Sequence, residues 1–113
     1  MSQRLEVVDP KTPPPVWAAL RNEAYAAAQM AEELAGALFQ LGRHGEALPE
    51  LDTSIAYYRT AGMHPYLARS LRLRARLLDA TSRAAEAVEA RAEAVQVEAA
   101  IAERNTAQTM EKA

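Results

Sequence analysis

The feature that most constrains this chain is a short pattern that occurs twice, about 40 residues apart. The first copy is Leu38-x-x-Leu41-Gly42-Arg43-x-x-Glu46-Ala47-Leu48, and the second, looser copy is Leu78-x-x-Thr81-Ser82-Arg83-x-x-Glu86-Ala87-Val88. Each copy is preceded by one helical pattern of apolar residues and followed by another. A unit of this length cannot bury its apolar face alone, so neighbouring units must stack. The sequence therefore predicts an array of antiparallel helical hairpins.

The composition supports the same fold class. The 113 residues suit a single domain with one modest core, and 26 of them are alanine. Alanine is the strongest helix former, and β-branched residues are scarce, so an all-α fold is expected. The chain contains no cysteine, which excludes disulfides, thiolate metal sites and a cysteine nucleophile.

The spacing of the apolar residues predicts four helices joined by short turns, which makes neighbouring helices antiparallel. The predicted domain, 16–104, consists of two hairpins, 16–62 and 65–104. Four prolines between positions 10 and 15 predict an extended arm over residues 1–15, with Pro15 suited to the first position of a helix. The polar, aperiodic residues 105–113 are expected to form a frayed tail.

Three of the four helices carry informative apolar rows. In the first helix one row is expected to be buried: Trp17, Leu20, Ala24, Ala27, Ala31, Leu34, Leu38 and Leu41. The third helix has two apolar faces, one formed by Leu67, Leu71, Ala75 and Leu78 and the other by Leu73 and Leu77. The fourth has two adjacent rows, Ala87, Ala90, Ala94, Val97 and Ile101 beside Val88, Ala92, Val95 and Ala99. A helix that is apolar on two sides is expected to pack on two sides.

These residues resemble the tetratricopeptide repeat, a helix–turn–helix unit with small residues where its helices cross. The resemblance covers roughly residues 24–102 and rests on Leu38, Leu41, Gly42, Ala47, Tyr58 and Ala61, which stand at the spacing of that signature. It is closest to long-helix repeats common in actinobacterial proteins, so a bacterial origin is expected. The resemblance implies a TPR-like array of hairpins whose concave face, lined by helices one and three, is the usual ligand surface.

The chain lacks the residues for a catalytic or metal site. Only His44 and His64 are available as imidazole bases, and they are expected at opposite ends of the second helix, where they cannot share a proton or a metal ion. No glycine-rich phosphate loop is present. We therefore expect a non-catalytic protein with no metal and no cofactor.

The surface that remains is the predicted groove. Its expected partner-binding residues are Gln29, Glu32, Phe39, Gln40, Arg43, Arg69, Arg72, Arg76 and Arg83. Guanidinium groups suit carboxylates because their planar fork makes bidentate hydrogen bonds. The leading hypothesis is a small adaptor that binds a partner protein or an acidic peptide through an open row of arginines.

Three other hypotheses follow from the same residues. The arginines could instead be solvated or paired with glutamates such as Glu86 and Glu89. The chain could be a four-helix bundle that binds a small molecule or regulates a pathway enzyme. Nucleic-acid binding through the arginines is disfavoured by the net charge of −2.

Homodimerisation, or docking on a partner, through an apolar end face is also expected, because two hairpins fall short of the three or more repeats that such arrays normally need. The predicted interface of a homodimer is an apolar end face with Trp17, Leu20, Val97 and Ile101. No run of 18 apolar residues predicts a membrane span, and the first residues lack the apolar region of a secretory signal. A cytoplasmic location is therefore expected.

Overall fold

The computed structural model describes residues 15–112, with side chains placed for residues 21–110. Over this range the chain forms four helices: α1 (Pro15–Gln40), α2 (His44–Ala61), α3 (His64–Ala80) and α4 (Ala84–Lys112). The first three begin and end within a residue of the bounds that the apolar spacing predicts, about 16–41, 45–61 and 65–80, and Pro15 opens α1 as expected. α4 continues through residues 105–112, so the expectation of a frayed tail there is wrong. Residues 1–14 of the predicted arm lie outside the described residues.

The turn between the two helices of each hairpin has the same backbone geometry in both repeats. Gly42 and Ser82 occupy equivalent positions with positive φ angles of 79° and 62°. In each turn the next residue donates a backbone hydrogen bond of 2.8 Å across the helix end, from Arg43 to Leu38 and from Arg83 to Leu78. This arrangement closes the helix with a left-handed residue, as in a Schellman motif. The repeat seen in the sequence is therefore a repeat of structure.

Ser82 holds a backbone conformation that favours glycine, which gives a testable prediction. Ser82→Gly is expected to raise the free energy of unfolding by about 0.5–1 kcal/mol, because it removes the clash between Cβ and the backbone at positive φ. Gly42→Ala at the equivalent turn is expected to lower it by about the same amount. Urea denaturation of both variants measures the two shifts. A Ser82→Gly protein less stable than the parent would contradict the prediction.

The buried face of α1 differs from the predicted row. Its buried side chains are Ala28, Ala31, Ala35 and Leu38. Leu34 and Leu41 of the predicted row are 46% and 69% exposed, and Ala24 and Ala27 are also exposed. In an alanine-rich helix several sectors are equally apolar, so periodicity alone does not select the one that contacts α2.

Packing of α3 on two sides is confirmed. Leu67, Leu71, Ala75 and Leu78 are buried on one face, and Leu77 on the second face is fully buried. Leu73, the other residue of the second face, is only partly buried and packs against the edge of the core. α3 is therefore the central helix of the array, in contact with α4, α2 and, over a short stretch, α1.

The two rows of α4 have different environments. Ala87, Ala90 and Ala94 are buried against α3, and Val97 packs against the same core. Ile101 is half-buried at the same side of the helix. Val97 and Ile101 therefore belong to the inner row and are only partly exposed, and their place in an oligomer interface stays a prediction. The exposed row is the other one.

The hairpins stack in an open array, and the described residues measure about 51 × 42 × 20 Å along their principal axes. Within the described part of the chain, α1 and α4 make no contact. A closed four-helix bundle would bring these two helices together around a central pocket. The alternative of such a bundle with an enclosed small-molecule site is therefore wrong.

A candidate site between α1 and α3

A cleft lies between α1 and α3, the two helices predicted to line a groove. Its volume is about 630 Å³. The lining residues are Gln29, Glu32, Glu33, Arg69, Arg72, Leu73 and Arg76. The arginines recur at intervals of three and four along α3, so they share the sector opposite its core residues. The cleft thus has a polar rim of both charges and one apolar residue, Leu73, in its wall.

Glu32 joins α1 to the other two helices of the site. Its carboxylate accepts two hydrogen bonds of 2.7 Å from the Nε and Nη2 atoms of Arg69 and one of 3.0 Å from the Tyr58 hydroxyl. The Glu32 side chain is only 12% exposed, whereas that of Arg69 is 58% exposed. The hydrogen bonds to Glu32 raise the pKa of Arg69 above its usual range, so the guanidinium of Arg69 stays charged. Glu32 therefore holds α1, α2 and α3 together.

An aromatic cluster continues from this carboxylate. The guanidinium of Arg69 lies 4.8 Å from the ring centre of Tyr66, which also packs against the ring of Tyr58 at 5.4 Å. The Tyr25 hydroxyl donates a 3.1 Å hydrogen bond to that of Tyr66 and so connects α1 to α3. These contacts connect α1, α2 and α3 beside Arg69.

Stability is expected to depend on alkaline pH through Tyr58. Burial, and then the hydrogen bond to the Glu32 carboxylate, raise the pKa of Tyr58 from 10.0 to about 12. A raised pKa in the folded state means that its contribution is complete below pH 10 and is lost as the pH rises toward 12. At about 1.4 kcal/mol per pH unit, the loss across this window is about 2–3 kcal/mol.

Urea denaturation at several pH values from about 9 to about 12 measures this slope. Tyr58→Phe supplies the control, since it keeps the ring but removes the titrating hydroxyl. We expect the variant to lose stability less steeply than the parent over this range. Equal slopes for the two proteins would show that other groups cause the loss.

The two remaining arginines of the cleft differ from Arg69. Arg72 reaches across to α4, where its Nε and Nη2 atoms donate hydrogen bonds of 2.8 and 2.6 Å to Glu98. Both side chains of this pair are almost half exposed, at 47% and 43%. Arg76 lies 5.0 Å from the ring centre of Phe39 and has no carboxylate partner among the described residues. Among residues 21–110, it is the only guanidinium of the cleft that forms no ion pair.

The structure therefore corrects the expectation of an open arginine row. Arg69 and Arg72 are paired with the protein's own carboxylates, as in the alternative hypothesis that the arginines bind glutamates. Arg43 and Arg83 lie at the hairpin turns, where they bind Glu46 and Glu86 at 2.6 Å, so they do not line the cleft. The sequence could not show this, because the helical wheel gives a direction but not the carboxylate that lies beside it.

The other predicted groove residues are divided. Gln29, Glu32, Arg69, Arg72 and Arg76 surround one cleft, and Phe39 lies beside it through its contact with Arg76. Gln40, at the end of α1, does not line it. Glu33 and Leu73 also line the cleft, although they are not among the predicted groove residues. The signal for Leu73 is its place on the second apolar face of α3, which the sequence predicts to be covered.

His44 and His64 stand at the first positions of α2 and α3, at opposite ends of α2, as predicted. The ring of His44 lies 5.1 Å from that of Phe39. Among the residues that the structure describes, no three His, Asp or Glu side chains are placed to hold a metal ion. Over the same residues, no helix has both the length and the apolar character to cross a bilayer.

Comparison with known families settles what the repeated hairpin is. The model of the tetratricopeptide repeat matches residues 26–100, which include most of α1 and α4 and all of α2 and α3. The chain belongs to the tetratricopeptide-repeat family. Searches of curated proteins and of solved structures found no significant match.

Membership of the tetratricopeptide-repeat family places this chain among proteins whose repeats generally mediate protein–protein interactions. The repeats of the family are typically non-catalytic. The cleft between α1 and α3 lies on the face formed by the first helix of each repeat. It combines guanidinium and carboxylate groups with the apolar side chain of Leu73.

Proposed function

We propose that this tetratricopeptide-repeat protein is an adaptor that binds a segment of a partner protein in the cleft between α1 and α3. The observation that carries the proposal is Arg76, which lines the cleft without a carboxylate partner among residues 21–110. Phe39 fixes one side of the guanidinium and leaves its fork available for a carboxylate. Arg76 is thus the proposed anion contact.

The roles of the other two arginines follow from their partners. Arg69 is proposed as a positioning residue, because its carboxylate partner Glu32 is nearly buried and also binds Tyr58. Arg72 is proposed as a second contact, since an exposed pair such as Arg72–Glu98 is worth only about 0–1 kcal/mol and can exchange partners.

The mixed charge of the cleft restricts the kind of peptide segment that we propose as its ligand. Glu32 and Glu33 line the same cleft as the arginines and disfavour a run of several carboxylates. Leu73 offers an apolar surface beside Arg76 and Arg72. The best fit is a segment that carries one or two acidic residues next to an apolar side chain, rather than a polyacidic peptide.

The proposal is tested by selecting peptides from a random displayed library on the wild-type protein. The expected selection enriches sequences that pair a carboxylate with an apolar residue. Isothermal titration of a selected peptide then measures its affinity for wild type and for Arg76→Glu. We expect the variant to bind at least about tenfold more weakly, equivalent to about 1.4 kcal/mol, because the charge of the contact is reversed.

Arg21→Glu is the matched control, since Arg21 is exposed on α1 and does not line the cleft. It makes the same change in net charge and is expected to leave affinity within about twofold. Equal weakening by both variants would show a non-specific charge effect. Selected peptides that bind Arg76→Glu as tightly as wild type would overturn the proposed site.

We also propose that the protein self-associates, as expected from its small number of repeats. Among the predicted interface residues, Trp17 and Leu20 lie outside the residues whose side chains the structure describes. An origin in a bacterium of the actinobacterial type, a cytoplasmic location and action as a regulator of a pathway enzyme stay predictions of the sequence.

A further inference from the structure

Two exposed apolar faces lie at the two ends of the array. On α4 the face consists of Val88, Ala92, Val95 and Ala99, with Val88 58% and Val95 55% exposed. On α1 it consists of Ala27, Met30, Leu34, Ala37 and Leu41, with Met30 67% exposed. Each face recurs at spacings of three and four residues, so each forms a continuous stripe along its helix.

The internal repeat shows what such a stripe contacts on α4. The turns of the two hairpins align with an offset of 40 residues, which places Val88, Ala92 and Val95 at the positions of Leu48, Asp52 and Ile55 on α2. In α2 this face meets α3 at Asp52, which accepts a 2.8 Å hydrogen bond from Arg74, and at Ile55, which lines a pocket with Arg74. Leu48 and Ile55, on either side of Asp52, are 8% and 4% exposed. The face of α4 thus corresponds to the face on which α2 receives the next helix.

The same offset explains the stripe on α1. Met30, Leu34 and Ala37 stand at the positions of Ser70, Arg74 and Leu77 on α3. Arg74 makes the contact with Asp52 of α2, and Ser70 and Leu77, within about 60° of it on a helical wheel, are fully buried. The face of α1 therefore corresponds to the face that α3 presents to the preceding helix.

The two end faces also match one another in polarity. The contact between α2 and α3 contains one ion pair, Asp52–Arg74. At the equivalent positions the end faces carry Ala92 on α4 and Leu34 on α1. Both members of the charge pair are thus replaced by apolar residues, so neither end face would leave a charge buried without a partner if the two met.

We infer that α1 of a second copy of this chain docks on the exposed α4 face, and so repeats the contact between α2 and α3 between molecules. The inference rests on the self-association proposed above and names its surfaces. Because the two surfaces are different, the contact is head-to-tail and does not close at two subunits. A dimer is the first product, and longer chains of copies form as concentration rises.

Sedimentation velocity over a range of concentrations, with two variants, tests this inference on the full chain. Leu34→Glu places a charge in the α1 face, and Val95→Glu places one in the α4 face. Both side chains are about half exposed in the single chain, so circular dichroism should show folded proteins. Each variant alone is expected to stay at the 12.3 kDa monomer mass at concentrations where wild type associates.

A mixture of the two variants distinguishes a head-to-tail contact from a symmetric one. Leu34→Glu retains an intact α4 face, and Val95→Glu retains an intact α1 face, so an equimolar mixture is expected to form a dimer of twice the 12.3 kDa monomer mass and nothing larger. A symmetric contact between two α4 helices would instead let Leu34→Glu associate as wild type does. Thr60→Glu, at an exposed position of α2, is the control and is expected to associate as wild type does.

The outcomes separate the two proposals. Wild type that stays monomeric at its highest soluble concentration would overturn self-association and this inference together. Wild type that associates, with a mixture that stays monomeric, would overturn the head-to-tail contact alone. If Thr60→Glu also fails to associate, the effect is due to added charge rather than to the two faces. That result would also overturn the head-to-tail contact.

Discussion

Replacement of Leu51 by alanine is expected to lower the free energy of unfolding by about 2–4 kcal/mol. Leu51 is fully buried in α2, where the helix packs between α1 and α3. The truncation removes apolar contacts and leaves a cavity in the core. A domain of this size has a total stability of about 5–15 kcal/mol, so the loss is a large share of it.

Leu41→Ala is the matched control, because it makes the same chemical change at a leucine that is 69% exposed. We expect its effect on the free energy of unfolding to stay within about 0.5 kcal/mol. Urea denaturation followed by circular dichroism measures both variants under the same conditions. Similar losses for the two would mean that burial at Leu51 is not what stabilises the array, or that Leu41 is covered by another molecule. Repetition of the Leu41→Ala measurement in the Val95→Glu background separates those causes.

Among the substitutions, loss of the Glu32 carboxylate is expected to have the next largest effect on stability. Glu32→Ala removes the acceptor of the buried Tyr58 hydroxyl and the partner of Arg69. A buried polar group left without a hydrogen bond costs about 1–3 kcal/mol, whereas the exposed Arg69 can be solvated at little cost. We therefore expect the free energy of unfolding to fall by about 2 kcal/mol, mostly through Tyr58.

Two comparisons isolate this effect in chemical denaturation. Glu33→Ala alters the neighbouring carboxylate of the cleft, which is exposed, and should change stability by less than about 0.5 kcal/mol. In a Tyr58→Phe background, Glu32→Ala should be less destabilising than in wild type, since the hydroxyl is already absent. An equal loss in both backgrounds would show that Glu32 acts through Arg69 and not through Tyr58.

In the cleft, residue spacing predicts which side chains share a helix face but not which of them are free to bind. The intervals between Arg69, Arg72 and Arg76 predict one shared sector of α3, and that sector does face α1 across the cleft. Whether each guanidinium is available depends on what lies opposite it. Glu98 belongs to a different helix from Arg72, 26 residues away in sequence, and only the angle between α3 and α4 brings the two together. No helical wheel contains that angle.

Alanine content, glycine at the turns and the 40-residue repeat determined by themselves that the chain forms stacked helical hairpins, because helix propensity, turn conformation and periodicity are local properties. The tertiary structure decided which sector of the alanine-rich α1 is buried, which arginines are paired and which row of α4 is left exposed. Burial and ion pairing depend on the neighbouring helix, and several sectors of these helices are apolar enough to receive one. The choice among them is made by the packing of all four helices together.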